Sequence, residues 1–233
     1  MTKRKASDIR CAAAAMFLIP WLAAASAATA QERAAQPVLS GAEIEALYRA
    51  RQDSARMRFV EADVEFVTGM ISHHAQALVM SALATTNGAG DRVQVLAARI
   101  TNGQQDEIGT MQRWLRDRGL PVPHVKIEGT SLVIEGGAHD GHEGHVMPGM
   151  LSAEQMQKLA DARGPDFDRL FLTYMIQHHS GAVTMVDDLI ATDGAAQEGA
   201  VFKLASDIRV DQITEIGRMK RMLAAYTTTE ETR

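Results

Sequence analysis

One segment of the chain occurs twice, and this repeat constrains the fold more than any other feature. Phe66–Met80 reads FVTGMISHHAQALVM, and Phe171–Met185 reads FLTYMIQHHSGAVTM, 105 residues later. Eight of the fifteen positions are identical, and each copy contains a pair of adjacent histidines. These two pairs account for four of the eight histidines in the chain. Similarity at a fixed spacing indicates an internal duplication, so we expect two copies of one structural unit.

A second repeated segment follows each of these copies. Leu96–Leu115 matches Leu204–Leu223 at ten of twenty positions, with an offset of 108 residues and no gap. Glu107 and Glu215 form one of the matched pairs. The duplication therefore covers two successive segments in each half, and the repeated unit is predicted to be a pair of helices.

Helix start and stop signals predict the secondary structure of the chain. Ser40 followed by Glu43 is typical of a capping box, and Asn87-Gly88 is typical of a helix C-terminus. The predicted helices cover residues 40–58, 62–86, 91–118, 152–163, 165–192 and 196–225. No stretch alternates apolar and polar residues for long, and Ser131–Ile134 is too short to found a sheet. We therefore predict an all-α four-helix bundle of two repeated helix pairs, each preceded by a shorter helix.

The first thirty residues have the pattern of a secretory signal peptide. A basic stretch from Lys3 to Arg10 precedes an apolar run over Cys11–Ala25, and Ala28-Thr29-Ala30 has the form of a cleavage site. The apolar run is about 15 residues long, whereas a spanning helix needs about 20. We therefore expect cleavage before Gln31, a periplasmic or secreted location, and no membrane span in the mature chain.

Domain organisation and composition narrow the possible functions. After the signal peptide (residues 1–30), we expect a first helical repeat over 31–118, a His/Met/Gly-rich connecting loop over 119–151 and a second repeat over 152–226, together forming one bundle domain. Loss of the leader removes the only cysteine, so a soft metal would have to be bound through methionine. It also leaves 20 basic against 28 acidic side chains. An acidic chain without a basic stripe argues against a nucleic-acid partner.

Each copy of the repeated segment places its histidines on the same helix face as methionine. At about 100° per residue, Asp63, Met70, His73 and His74 fall within one arc, with Met80 at its edge. The second copy repeats the arrangement with Asp168, Met175, His178, His179 and Met185. These side chains could simply fill a core, with the histidines hydrogen-bonded. The recurrence of imidazole with thioether in both halves favours metal ligands instead.

The donor types determine which metal the helices would select. Imidazole with thioether, in the absence of thiolate, favours Cu(I) or Ag(I), and imidazole also accepts Cu(II). Zinc would be bound by histidine but gains little from methionine. A di-iron carboxylate site needs Glu-x-x-His motifs, and methionine replaces that glutamate in both copies. The acidic residues Asp63, Asp168, Glu107 and Glu215 are therefore predicted to support the metal ligands by hydrogen bonds.

The connecting loop contains a further set of the same donor types. Its members are His139, His142, His145, Met147 and Met150. Histidine-rich tracts are compositional signs of metal capture, and a solvated polar linker is the competing interpretation. The glycines among these residues leave the donors without a fixed geometry. We therefore predict a weaker, secondary metal site that is separable from the helical one.

The repeated residues resemble a known bacterial family. Met-Ile-x-His-His-x-x-Ala-x-x-Met, followed by Gln-x-x-Glu-Ile-x-x-Met, is similar to the bacterial domain-of-unknown-function family three hundred and five, over about Asp63–Leu223. The resemblance implies a ferritin-like bundle, export to the periplasm, and binding of copper or silver in metal resistance or homeostasis. It carries the family's metal-site motif onto Met70, His73, His74, Met80, Met175, His178, His179 and Met185.

The sequence thus predicts an exported protein that sequesters copper or transfers it to other periplasmic copper-handling proteins. No Ser-His-Asp arrangement, phosphate-binding glycine loop or glycosidase-like carboxylate pair stands out, so nothing argues directly for an enzyme. Two alternatives stay open. A metal-dependent oxidoreductase would use the duplicated histidines with Glu107 and Glu215. A structural or partner-binding bundle would use the histidines for packing.

Overall fold

The computed structural model describes residues 39–129, 131–135 and 147–230. Its elements are α1 (Gly41–Arg56), α2 (Glu61–Thr86), α3 (Asp91–Arg116), β1 (His124–Glu128), β2 (Ser131–Glu135), α4 (Ala153–Asp161), α5 (Gly164–Ala191) and α6 (Gly199–Glu230). Every predicted helix is present, and the largest difference is at the end of α6, which was expected near Ala225. The all-α class and the two helix pairs, each preceded by a shorter helix, are confirmed.

The chain divides into two units, one ending at Arg49 and the other comprising Ala50–Arg233. The described part of the first unit is the N-terminal portion of α1 with the two residues before it. The Ser40 hydroxyl accepts a hydrogen bond from the Glu43 amide at 3.3 Å, and the Glu43 carboxylate accepts one from the Ser40 amide at 2.7 Å. The capping box predicted at this position is therefore confirmed.

Two helix pairs build the second unit. Helix α2 packs along α3, α5 packs along α6, and the pairs meet through α2 and α5. The loop after α2 is fixed by Asn87, whose side-chain amide donates to the carbonyls of Leu159, Ala160 and Ala162 at 3.0–3.3 Å. This buried asparagine therefore joins the first helix pair to the end of α4, just before the second pair begins.

The core consists of two apolar clusters at opposite ends of the bundle. The first apolar cluster combines the start of α2 and the end of α3 with the end of α5 and the start of α6, and includes Phe66, Leu115, Val186 and Ile208. The second apolar cluster combines the opposite ends of the same helices with α4, and includes Ala84, Leu96, Leu159, Phe171 and Met219. This arrangement requires α2 and α5 to run antiparallel, with the histidine pairs midway between the clusters.

Two buried aspartates connect the repeats at equivalent positions. Asp63 accepts hydrogen bonds from the amides of Val60 at 3.0 Å and Ala196 at 2.7 Å. Asp168 accepts one from the amide of Gly90 at 3.1 Å, so each aspartate binds the backbone just before the partner helix of the other repeat. Because buried amides need acceptors, these carboxylates help to fix the relative position of the two helix pairs.

A short β-hairpin corrects the expectation that the chain contains no strands. Strands β1 and β2 pair antiparallel, with Glu128 opposite Ser131, and Gly129 adopts φ +62° in the two-residue connection. Such connections require positive φ, which glycine supplies without steric cost. Each strand has only five residues, so alternation alone gave too short a signal. The hairpin contacts α2, and packing on a helix is what stabilises an isolated strand pair.

Several sequence predictions concern residues outside this description. The signal peptide lies within residues 1–38, and His139, His142 and His145 lie within residues 136–146. The proposed cleavage and the proposed loop site therefore stay predictions. None of the helices within residues 39–129 and 147–230 combines the length and the apolar character that a membrane span requires.

Candidate metal centre

Four histidines form a buried layer between the two apolar clusters. His73, His74, His178 and His179 each have 0% of their surface exposed. The rings of His73 and His178 lie 3.9 Å apart between centroids, at an interplanar angle of 37°. Within each pair the centroids are farther apart, 6.4 Å in the first repeat and 6.1 Å in the second. The fold therefore joins one histidine from each repeat at the contact between α2 and α5.

The outer histidine of each pair is held by a glutamate from the partner helix. His74 Nε2 lies 2.7 Å from Glu107 Oε2, and His179 Nε2 lies 2.7 Å from Glu215 Oε2. An ionised carboxylate only accepts hydrogen bonds, so each imidazole donates from Nε2 and retains its lone pair on Nδ1. Such a carboxylate–histidine pair fixes the orientation and tautomer of a metal-binding imidazole. That both glutamates support metal ligands stays a prediction.

The inner histidines have fewer partners. His73 Nε2 donates to the carbonyl oxygen of Pro148 at 3.0 Å, and its Nδ1 is buried without a hydrogen-bond partner. His178 lacks a hydrogen-bond partner at both ring nitrogens. Burial and, next, the neighbouring His74 lower the pKa of His73 to about 3. Burial and the adjacent His73 also lower the pKa of His178. Both imidazoles are therefore neutral at ordinary pH, as metal ligation requires.

A segment that we call the strap, Met147–Leu151, lies against α2 and α5 and contacts His73. Gln76 on α2 binds both sides of the Leu151 backbone, accepting from its amide at 2.7 Å and donating to its carbonyl at 3.0 Å. Gln177 on α5 donates to the Gly149 carbonyl at 3.3 Å. The strap is thus bound to both central helices, and its Pro148 carbonyl is the acceptor for His73.

Two glycines allow the strap to lie directly on α5. A Cβ atom on Gly181 would lie 1.9 Å from the Pro148 oxygen, and one on Gly149 would lie 2.6 Å from the Gln177 oxygen. Gly149 also adopts φ +74°. Sequence reasoning missed Gln76, Gln177 and Gly181 as part of the site. Only the Met-Pro-Gly-Met run before the second copy was a signal for this contact.

The predicted methionines lie on both sides of the histidine layer. Met70 belongs to the first apolar cluster, and Met80 and Met175 belong to the second. Met185 is half-buried against the first cluster. A Cβ atom on Gly69 would lie 3.4 Å from Met147 Sδ and 3.5 Å from Met185 Cε, so a strap thioether and an α5 thioether share that position on α2. The sequence grouped Met147 with the loop histidines, whereas the structure places it on the bundle.

The aspartates predicted to support the metal ligands have different partners. Asp63 and Asp168 bind backbone amides at the ends of the helix pairs. Asp168 also accepts a hydrogen bond from the hydroxyl of Tyr226 at 2.5 Å, and this bond, after burial, raises the pKa of Tyr226 to about 12. The contacts of these two aspartates join the repeats. Each aspartate lies ten residues, or about 15 Å of helix, before the inner histidine of its own copy.

The histidine layer fits a soft or borderline metal ion. Each of the four histidines has a buried Nδ1 without a hydrogen-bond partner, and buried polar atoms are normally satisfied. Imidazole nitrogens close to thioethers form a donor set that suits copper and silver ions. Within the described residues, no three His, Cys, Asp or Glu side chains are grouped closely enough to share one ion. A metal would therefore be bound by a smaller number of imidazoles, completed by other donors.

The chain is a predominantly helical protein with a buried histidine layer between two duplicated helix pairs. The family model described as "Domain of unknown function (DUF305)" matches residues 63–223. This protein belongs to the DUF305 family, as the repeated motifs indicated. No curated protein matches the chain.

Solved structures support the same relationship. A DUF305 fragment from Deinococcus radiodurans is 30% identical, with a TM-score of 0.57, and the match covers 72% of this chain and 98% of the fragment. A DUF305 protein from Streptomyces coelicolor, provisionally named a secreted protein, is 27% identical, with a TM-score of 0.58 and coverage of 71% and 94%. CopM in its Cu(I)-bound form is 27% identical, with a TM-score of 0.52 and coverage of 70% and 96%. CopM is also known in Cu(II)-bound and Ag-bound forms.

Proposed function

We propose that this protein binds copper, chiefly as Cu(I), at the histidine layer, and that silver ion binds at the same place. The observation that carries the proposal is the contact between His73 and His178. Their ring centroids are 3.9 Å apart, and both rings have nitrogens without hydrogen-bond partners in a fully buried layer. An unsatisfied buried nitrogen costs about 1–3 kcal/mol, which a bound ion would recover. The copper- and silver-bound forms of the similar protein CopM support this choice of ion.

The predicted ligands have different roles in this proposal. His73 and His178 supply the inner donors, and His74 and His179, oriented by their glutamates, supply the outer ones. In this proposal one ion takes fewer than three of these imidazoles, and the thioethers of Met70, Met80, Met175 and Met185 supply the further donors of a soft ion. Copper is the cargo of this site and undergoes no reaction there.

The cellular role follows from export and ion choice. The N-terminal pattern of the chain directs it to the periplasm or outside the cell, where it would sequester copper or transfer it to other copper-handling proteins. His139, His142 and His145 would capture copper weakly before or after it reaches the bundle. Acid would release loop-bound Cu(II) first, because those histidines have a reference pKa of about 6.5.

Competition with a chromophoric Cu(I) chelator tests the proposal on the mature chain. The His73→Ala/His178→Ala variant should lose about 100-fold or more in Cu(I) affinity, equivalent to about 2.7 kcal/mol, while circular dichroism shows retained helicity. His124→Ala is the matched control, because His124 is exposed on β1. Unchanged Cu(I) affinity in the His73→Ala/His178→Ala variant would exclude the contact between these two histidines as the site. Protein that retains no copper would favour the metal-free bundle, and copper-dependent turnover would favour the oxidoreductase.

A further inference from the structure

A groove between the partner helices α3 and α6 forms a second candidate site. It has a volume of about 270 Å³, and its lining includes Gln104, Glu107, Asp211, Gln212 and Glu215. The two glutamines and the two glutamates occupy equivalent positions in the two repeats. The duplication therefore places two copies of the same amide–carboxylate pair on facing walls of one groove.

The glutamines of this groove have unsatisfied polar atoms. Gln104 and Gln212 are each only 2% exposed. Neither the amide nitrogen nor the carbonyl oxygen of Gln104 has a hydrogen-bond partner, and the carbonyl oxygen of Gln212 also lacks one. Leaving such a group unsatisfied costs about 1–3 kcal/mol, so a leucine would be the better residue if the groove held nothing. The two carbonyl oxygens therefore indicate an occupant that donates hydrogen bonds to them.

The glutamates add negative charge to the same floor. Glu107 and Glu215 each contact a histidine through one oxygen, Oε2, and both residues line the groove. Asp211 stands at the exposed rim, and partial burial, then the charges of Glu107 and Glu215, raise its pKa. Arg99 and Arg218 also line the groove, so three carboxylates face two guanidinium groups. The net charge of the lining is therefore negative, which favours a cation as the occupant.

We propose that this groove binds a hydrated divalent cation of the Mg²⁺ or Mn²⁺ type. The waters around such an ion can only donate hydrogen bonds outward, and the groove floor offers the carbonyl oxygens of Gln104 and Gln212 and the carboxylates of Glu107 and Glu215 as acceptors. Six waters occupy about 180 Å³ at about 30 Å³ each, which the groove accommodates. Mg²⁺ typically keeps several waters and uses one or two carboxylates, so it needs no cluster of three protein ligands.

The proposed ion differs in chemistry from the ion of the histidine layer. The groove offers only oxygen acceptors, which suit hard cations, whereas the layer offers imidazole and thioether. The two sites share Glu107 and Glu215, which contact a histidine through Oε2 and also line the groove. The inference is independent of copper binding and would stand if the histidine layer bound no metal.

Electron paramagnetic resonance of Mn²⁺ tests the groove directly in the mature protein without copper. Mn²⁺ should bind and be displaced by Mg²⁺, which avoids imidazole, so displacement distinguishes the groove from the histidines. The Gln104→Leu/Gln212→Leu variant should bind Mn²⁺ roughly 10-fold more weakly. Gln105→Leu is the matched control, because Gln105 is exposed on the same helix outside the groove. Equal affinity in the double variant, or Mn²⁺ that Mg²⁺ does not displace, would overturn the proposal.

A stability measurement provides the second test. Without divalent ions, Gln104→Leu/Gln212→Leu should raise the melting temperature, because it removes unsatisfied buried amides. Added Mg²⁺ should raise the melting temperature of the original protein more than that of the variant, at the same Mg²⁺ concentration and constant ionic strength. Asp211→Asn, at an exposed position, should weaken Mn²⁺ binding without affecting folding, and Asp188→Asn on the exposed face of α5 should not. Identical Mg²⁺ responses in all four proteins would also contradict the site.

Discussion

His73 and His178 face each other between the two repeats, with ring centroids 3.9 Å apart and no exposed surface. They are equivalent residues of the duplicated segment, so the contact joins the two copies at the same point of each helix. A proton on either ring would place a positive charge in a fully buried layer, and this cost of burial is the main reason why both pKa values are lowered. The pair is thus kept neutral by the same burial that makes its lone pairs available to a metal.

Removing the glutamate that orients each outer histidine should weaken copper binding. Glu107→Gln and Glu215→Gln preserve side-chain volume but replace the carboxylate acceptor of His74 or His179. Loss of such a partner typically reduces metal affinity 10- to 100-fold. Chelator competition measures the change, and Glu65→Gln, at an exposed position on α2, is the control. If Glu107→Gln and Glu215→Gln bind copper as tightly as the Glu65→Gln control, the outer histidines are not ligands.

Acidification should destabilise the metal-free protein through its inner histidines. The pKa of His73 is about 3 in the folded state against about 6.5 when unfolded, so the unfolded chain takes up the proton first. The free energy of unfolding is therefore highest above pH 6.5 and falls toward pH 3, by about 2 kcal/mol from His73 alone at pH 5. The pKa of His178 is lowered in the same direction.

Urea unfolding at pH 7 and pH 5 measures this loss. A His73→Gln variant retains an amide donor for the Pro148 carbonyl but cannot be protonated, so its stability should fall less. His124→Ala should behave as the original protein, because His124 is exposed. Equal pH dependence in the original protein and His73→Gln would show that the buried pair does not control acid stability.

The strap should be displaced by one added methyl group on α5. In Gly181→Ala the new Cβ would lie 1.9 Å from the Pro148 oxygen, so the strap must move away from the helix. We expect a loss of about 1–3 kcal/mol in stability and weaker copper binding, because His73 loses its acceptor. Gly103→Ala is the matched control: its Cβ meets nothing within 4 Å, and alanine stabilises a helix by about 0.5–1 kcal/mol. Normal stability in Gly181→Ala would show that the strap can shift freely.

Methionines beside the histidine layer should determine ion selectivity more than stability. Met70 and Met175 are fully buried, and replacement by leucine nearly conserves volume, so each change should cost less than about 1.5 kcal/mol. Loss of thioether should reduce affinity for Cu(I) and Ag(I) while leaving zinc binding unchanged. Parallel titrations of the three ions check this. An equal reduction for zinc and Cu(I) would mean that the methionines act only by packing.

The duplicated sequence predicted most of the fold. Periodicity and capping residues gave the helices to within a few residues, because those signals act between neighbours in the chain. The hairpin at His124–Glu135 was missed, since its strands are stabilised by each other and by α2. The contact of the strap with Gly181 was likewise not predicted, because it joins residues that only the fold brings together.

By itself, the sequence determined the duplicated helix pair and the two histidine pairs, because local periodicity and the internal repeat define these features. Only the tertiary structure decided which histidine pairs with which. The antiparallel contact of α2 with α5 brings His73 to His178 and leaves His74 and His179 to the glutamates of α3 and α6. Helix geometry sets adjacent residues about 100° apart, but the direction that meets a neighbour depends on packing between distant segments.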